Sequence, residues 1–442
     1  MSNTTEPAAE MNLGWSSRPM ALLTKVSGTM LPPGIRLAGA GIQMLSTIII
    51  ARTLGDEGSA MFFFWSAILM SFVPVATYGL EQIALRNAPR VEAEGSMSVM
   101  NYLASLRTFA AGVALTIGAV LFLYAVFEHD RSEQFAVWPF LLPIALASMT
   151  INMINGEALK GLSRPILGIV AGHFVPVTLF CICCALFANQ VDSRGLLTFY
   201  TGSYLVAAFA VQFGPATEFR KLFSVPKLST VRELFREGFS VCCVNLFGAA
   251  AFILPLFILE SLRPEEEVSY VTTAVRISIL FSVLSTAIHS VFAPDLSRAG
   301  AKKNPGKALF QVYGKAIGIS LAALSLPLLV GVFFPEFVMG IFGESFKNGA
   351  EVLRILLATK FLFLALGPVP YLLLMTNQTT LLARLGVAKL ILSTALAFFL
   401  IPSLGGIGMV LALSIAFFIE DIVGLIWATK VIRKRSKQQA RA

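Results

Sequence analysis

The sequence predicts an all-α integral membrane protein in which about twelve transmembrane helices form two six-helix bundles around a central cavity. Composition, the recurrence of apolar segments and the charge of the connecting loops all indicate this fold class. Of the 442 residues, 56% are hydrophobic and only 13% are charged, and the mean hydropathy is +0.77. This is more apolar surface than a soluble core of the same length can bury.

Apolar segments of about twenty residues, each long enough to cross a bilayer as a helix, recur along the chain. We place twelve of them near residues 30–51, 60–80, 106–127, 136–158, 165–188, 196–216, 238–259, 270–293, 309–333, 350–375, 380–401 and 406–429.

The loops between these segments alternate in charge. Basic residues concentrate in both tails and in every second loop, whereas the other loops carry many acids, as at Glu265, Glu266 and Glu267. Because basic loops remain in the cytoplasm, both termini are expected there. The net charge of +9 then reflects topology, and nucleic acid is not an expected partner, since no single domain face is basic. The five cysteines lie in apolar runs without His or Asp at ligand spacing, so no metal site is expected.

The two halves of the chain resemble each other at an offset of about 210 residues, since "GDEGSAMFFFWSAIL" echoes "PEEEVSYVTTAVRISIL". Six helices per half would give both repeats the same orientation, related by an axis along the membrane normal. The predicted organisation is a cytoplasmic tail (1–29), a first bundle (30–218), a cytoplasmic linker (219–237), a second bundle (238–429) and a basic cytoplasmic tail (430–442).

Charged residues inside the apolar segments are the candidate functional groups, because a charge there costs at least about 2.5 to 3.5 kcal/mol. Arg36 begins a polar stripe that includes Gln43, although it could instead extend to the cytoplasmic headgroups. Arg276 shares a helix face with two threonines, and Lys360 lies too deep to reach the headgroups easily. We expect these cations to line the cavity. Their surplus positive charge suits an anionic substrate, a phosphate above all.

Other polar residues have two interpretations. Asn152 and Asn155 form a stripe that could bind sugar hydroxyls or hold helices together. Lys389 and Asp421 lie at similar depth on adjacent helices, which predicts an ion pair. Glu420 could join that pair or, like Asp421, couple transport to a proton or cation.

Several stretches resemble a known family. "IIIARTLGDEGSAMFFFWSAIL", "YGLEQIALRNAPR" and "IFGESFKNGAEVLRILLATK" are similar to the Wzx-type lipid-linked oligosaccharide flippases of polysaccharide biosynthesis, in the multidrug/oligosaccharidyl-lipid/polysaccharide exporter superfamily. The resemblance implies alternating-access transport of a polyprenyl-diphosphate-linked saccharide from the inner to the outer leaflet of the bacterial cytoplasmic membrane. It also implies a transporter rather than an enzyme, working in the bilayer without a cofactor. A polysaccharide polymerase and chain-length machinery are the candidate protein partners.

Two rivals are weighed against this interpretation. A multidrug or cation antiporter of the same superfamily would need acids in its cavity. A membrane enzyme such as a glycan polymerase should carry a large extracytoplasmic loop, and the acidic loops here are short. No nucleotide-binding G-x-x-x-x-G-K-[ST] motif is present, so the membrane potential or an ion gradient would drive transport.

Overall fold

The computed structural model describes residues 18–92, 95–128, 138–211, 221, 223–224, 228–300, 305–367, 369, 372–373 and 379–439. Throughout these residues the regular structure is helical, and no strand occurs among them. The all-α prediction is therefore confirmed. In a bilayer each backbone amide must bond within its own segment, which selects helices for apolar runs of this length.

In the described residues, bounds can be given for seven α-helices of the first half and seven of the second. The first seven are α1 (Arg18–Ala76), α2 (Leu80–Glu92), α3 (Ser96–Glu128), α4 (Leu141–Gly161), α5 (Pro165–Ile169), α6 (Val175–Phe187) and α7 (Ser193–Ala210). The other seven are α8 (Leu228–Leu262), α9 (Glu265–Gly300), α10 (Pro305–Phe333), α11 (Pro335–Gly340), α12 (Ala350–Leu366), α13 (Thr379–Leu404) and α14 (Gly406–Gln439).

Each of the twelve predicted segments overlaps a helix, but two of them share α1. The backbone of α1 turns sharply at Gly55, where φ is 73° and ψ is −172°, a conformation that glycine adopts without strain. In the described part of the chain, nine helices are long and apolar enough to span a membrane, and α1 counts once among them. Its apolar stretch of 43 residues is long enough for two crossings.

Three boundaries differ from the sequence prediction. The second segment ends at Ala76 rather than at residue 80, and α2, which was not predicted, follows it. The proposed linker is helical from Leu228 onward, because α8 begins there. The basic C-terminal tail continues α14 as far as Gln439.

The helices of the first half contact those of the second half mainly through α1, which packs against α8 and α9. Large aromatic residues of α1, including Phe62, Phe63 and Trp65, fill the core of the first half. Apolar side chains also cover the outside, where Leu326 is 72% exposed and Phe399 74% exposed, as expected for a surface that faces lipid.

Residues near the interface meet their equivalents in the other half. The hydroxyl oxygens of Ser59 and Ser269 lie 3.2 Å apart, and these residues are 210 positions apart in sequence. Arg276 donates a hydrogen bond to Ser66 across the same interval of 210 positions. A two-fold axis between two repeats brings equivalent residues together in this way, so the contacts support the internal repeat and its offset.

Candidate functional site in a central cavity of two compartments

Two adjoining cavities lie between the bundles, and Ser282 lines both of them. We call them the N-half compartment and the C-half compartment. The N-half compartment has a volume of about 370 Å³ and is lined by Ile35, Arg36, Gly39, Ala40, Gln43, Met70, Ile169, His173, Phe174, Val177, Tyr204, Ser282 and Val283. The C-half compartment has a volume of about 580 Å³ and is lined by Ser71, Pro74, Val244, Asn245, Gly248, Ala249, Phe281, Ser282, Ser285, His289, Leu328, Lys360, Phe363, Leu364, Gly367, Leu382, Gly386, Lys389, Phe417, Glu420 and Asp421.

One end of the cavity is closed by contacts between the halves. Arg52 donates to the carbonyl oxygen of Ile341 at 2.7 Å, and Tyr270 donates to a carboxylate oxygen of Asp56 at 3.1 Å. Ser282 lies thirteen residues beyond Ser269 on α9, which is about 20 Å along a helix. Both compartments therefore lie away from the closed end, toward the side that the charge pattern predicts to be cytoplasmic.

The polar stripe predicted on the first helix faces the N-half compartment. Arg36, Ala40 and Gln43 all line it, as expected for residues spaced by four and seven along one helix face. The Arg36 side chain is exposed rather than buried in protein, and Gln43 donates a hydrogen bond to the sulfur of Met70 at 3.5 Å.

Arg276 is half-buried against α1 and lies beside the N-half compartment. Its guanidinium donates to the hydroxyl of Ser66 and, at 3.3 Å, to the carbonyl oxygen of Phe63, and it lies 4.8 Å from the centroid of the Phe63 ring. A pocket of about 50 Å³, which Gln43 also lines, joins Arg276 to this compartment. In the described residues no carboxylate forms an ion pair with Arg276. In the described residues the guanidinium charge of Arg276 is therefore stabilised by neutral groups alone, and no negative charge forms an ion pair with it.

His173 is a residue of this compartment that the sequence analysis missed. It lies in a π-helical turn, Val170–Phe174, between α5 and α6. Such turns insert an extra residue into a helix and often occur at functional sites. Gly168 and Gly172 pack closely against Gly156 of α4. A larger residue would not fit, because a Cβ on Gly168 would lie only 2.4 Å from the Gly156 carbonyl oxygen. The Gly-x-x-x-Gly spacing just before His173 was the available sequence signal.

The C-half compartment contains two lysines and two carboxylates, together with His289. Lys389 pairs with Glu420 at 2.8 Å and lies 4.5 Å from the centroid of the Phe417 ring. Lys360 interacts electrostatically with Asp421 and lies 5.8 Å from the centroid of the Phe363 ring. The prediction that Lys389 pairs with Asp421 is wrong. Adjacent residues project about 100° apart around a helix, so Glu420 comes within ion-pair distance of Lys389, while Asp421 attracts both Lys389 and Lys360 from farther away.

Asn152 and Asn155 lie outside both compartments. The side-chain amide of Asn152 donates to the carbonyl oxygens of Ser148 at 2.9 Å and Tyr204 at 2.7 Å, and so ties α4 to α7. The side-chain oxygen of Asn155 accepts a hydrogen bond from Arg107 at 2.7 Å, which ties α4 to α3. Of the two interpretations left open by the sequence, these contacts favour helix packing.

Replacing Asn155 with alanine should therefore lower stability without impairing transport by the folded protein. The substitution leaves the buried Arg107 without this acceptor, which costs about 1 to 3 kcal/mol. Thermal unfolding of the purified protein measures the first effect, and transport per folded molecule measures the second. Normal unfolding together with lost transport would instead assign Asn155 to substrate binding.

Three solved structures share this fold. An inward-facing multidrug resistance MATE family transporter of the MOP superfamily is 17% identical, with a TM-score of 0.70 over 90% of this chain and 96% of that chain. The lipid II flippase MurJ in an inward closed conformation is 10% identical, with a TM-score of 0.72 over 93% of this chain and 91% of that chain. A MOP superfamily transporter from Pyrococcus furiosus, described as having a binding pocket of reversed polarity, is 17% identical, with a TM-score of 0.61 over 92% of this chain and 94% of that chain.

Sequence comparison gives the family directly. No curated protein sequence matches this chain. Residues 29–300, more than half of the chain, match the family described as polysaccharide biosynthesis protein. Together with the shared fold, this match confirms the resemblance noted in the sequence: the chain belongs to the polysaccharide biosynthesis protein family.

Proposed function

We propose that this protein flips a polyprenyl-diphosphate-linked saccharide across the bacterial cytoplasmic membrane for the synthesis of a surface polysaccharide, an O-antigen or exopolysaccharide. The observation that carries the proposal is the pair of arginines at the N-half compartment, Arg36 and Arg276, which have no ion-pair partner in the part of the chain that the structure describes. Family membership and the fold shared with a lipid II flippase support it.

The diphosphate is the group that these arginines suit. Guanidinium groups donate paired hydrogen bonds to phosphate oxygens, and such charge-assisted bonds are about twice as strong as neutral ones. The anion in turn offsets the cost of keeping cations within the membrane. Gln43 and His173 supply further polar atoms on the same wall. Lys360, which we expected beside the arginines, lies in the C-half compartment with Asp421, so Arg36 and Arg276 carry most of the diphosphate binding.

Transport follows by alternating access. The diphosphate enters from the cytoplasmic side, the polyprenyl chain stays in the bilayer between helices, and the bundles rock until the closed end opens. Moving two negative charges outward is favourable by about 2.3 kcal/mol per charge for each 100 mV of inside-negative potential. Asp421 is the better candidate for ion coupling, because Glu420 forms an ion pair with Lys389 at 2.8 Å, whereas in the described residues Asp421 interacts with the two lysines only at longer range.

Deletion of the gene should leave a lipid-linked saccharide on the cytoplasmic leaflet, because synthesis continues while export stops. Periodate oxidation or lectin binding on oriented membrane vesicles distinguishes the two leaflets, and expression of the wild-type protein should restore the outward distribution. Normal surface polysaccharide without such accumulation would refute the proposal.

An antiporter for cationic compounds is a second candidate, because two acids line the C-half compartment and similar folds belong to multidrug transporters. The two lysines beside those acids argue against it, since they offset the charge that would attract a cation. Changed tolerance to cationic drugs in the deletion strain, with normal surface glycan, would favour this candidate.

A further inference from the structure

The two compartments differ in charge. The N-half compartment has Arg36 on its wall and Arg276 at its side. Among the described residues that line it there is no carboxylate. The C-half compartment holds two lysines and two carboxylates and is therefore neutral overall.

The carboxylates of the C-half compartment are already matched by cations. Lys389 and Glu420 form an ion pair at 2.8 Å, in which the two side chains are only 12% and 14% exposed. Lys360 and Asp421 attract each other across the same compartment. A bound anion would bring a third negative charge, and a bound cation a third positive one, into a site that is largely shielded from water. In such a site a unit charge interacts strongly with its neighbours.

Neutral hydroxyl groups suit this compartment better than ions do. Carboxylates accept hydrogen bonds from hydroxyls and lysine ammonium groups donate to them, so an alternating set of both recognises a polyol without needing a net charge. Asn245 and Ser285 add polar atoms, while Phe363 and Phe417 offer apolar faces for the C–H groups of a sugar ring. The volume of about 580 Å³ is within the range for binding a small ligand.

We infer that the C-half compartment is the saccharide site and that its lack of net charge selects uncharged sugars, with Glu420 offsetting the charge of Lys389, while the N-half compartment holds the diphosphate. The inference rests on the proposed flippase function, and it adds the substrate class. Loss of Glu420 would leave Lys389 uncompensated and should admit an anionic sugar.

Flipping of two probes in proteoliposomes tests this inference. One probe is polyprenyl-diphosphate-N-acetylglucosamine, whose sugar is neutral, and the other is polyprenyl-diphosphate-glucuronic acid, whose sugar is an anion. The wild-type protein should flip the neutral probe at least about tenfold faster, which corresponds to about 1.4 kcal/mol of added repulsion. Glu420→Gln should raise the flipping rate of the glucuronate probe, so that the ratio of the neutral-probe rate to the glucuronate-probe rate falls at least about threefold. Lys389→Gln should increase this ratio, because it leaves Glu420 uncompensated.

The double variant Lys389→Gln/Glu420→Gln is the matched control, because it removes both charges and keeps the compartment neutral. It should retain the preference for the neutral sugar. The wild-type comparison needs no variant and tests the inference even if a substitution prevents folding. Equal rates for both probes in the wild type would overturn the inference and leave the flippase proposal standing. Failure of the wild type to flip either probe would overturn both.

Discussion

Replacement of Arg276 with alanine should lower the flipping rate about ten- to a hundredfold. A hydrogen bond to a charged group contributes about 1.5 to 3 kcal/mol, and each 1.4 kcal/mol corresponds to a factor of ten. Arg276→Lys should retain part of the activity, since lysine keeps the charge but lacks the paired donors of a guanidinium. Rates in proteoliposomes with a polyprenyl-diphosphate-linked sugar measure the effect.

The matched control for Arg276 is Ser66→Ala. This substitution removes the same hydrogen bond between α9 and α1 but leaves the cation in place. Transport should therefore survive Ser66→Ala and fail in Arg276→Ala. Equal losses in both variants, in step with lowered thermal stability, would show that Arg276 only holds the two halves together.

A disulfide between positions 59 and 269 should stop transport almost completely. The two serine hydroxyls lie 3.2 Å apart at the closed end of the cavity, so Ser59→Cys and Ser269→Cys place two thiols at a similar separation. The background needs its native cysteines replaced, and these are Cys181, Cys183, Cys184, Cys242 and Cys243. Oxidation should trap the closed end, and reduction should restore flipping.

Each single-cysteine variant controls for the effect of the oxidant. Cross-linking is verified by counting the thiols that react with a maleimide before and after reduction. If the fully cross-linked protein flips its lipid as fast as the reduced protein, the contact between Ser59 and Ser269 does not need to open, and alternating access at this end is excluded.

The helices could be predicted from the sequence because the thickness of the bilayer fixes the length of an apolar segment. The sequence also indicated the repeat, through the resemblance between the stretches that contain Ser59 and Ser269. The break expected between the predicted segments 30–51 and 60–80 falls at Gly55, where the backbone leaves the helical conformation.

The site was harder to predict, because depth along a helix can be read from sequence but the direction of a side chain cannot. Glu420 and Asp421 are equally deep, and only the packing of α13 against α14 decides which one meets Lys389. Asn155 was ambiguous for a similar reason, since its partner, Arg107, comes from another helix. His173 depends on one inserted residue, which apolar periodicity does not reveal.

The contact between Arg276 and Ser66 explains why two unlike halves are useful in one polypeptide. A residue beside a two-fold axis faces its own copy. In a homodimer of identical halves, the position of Ser66 and its equivalent, Arg276, would have the same residue in both halves. It would then hold either two facing arginines, which repel each other, or two serines, which carry no charge. In a chain that contains both repeats, the two copies can mutate independently, so one can carry arginine and the other serine at equivalent positions. A single central cation is thus a property that only an asymmetric pseudo-dimer can have.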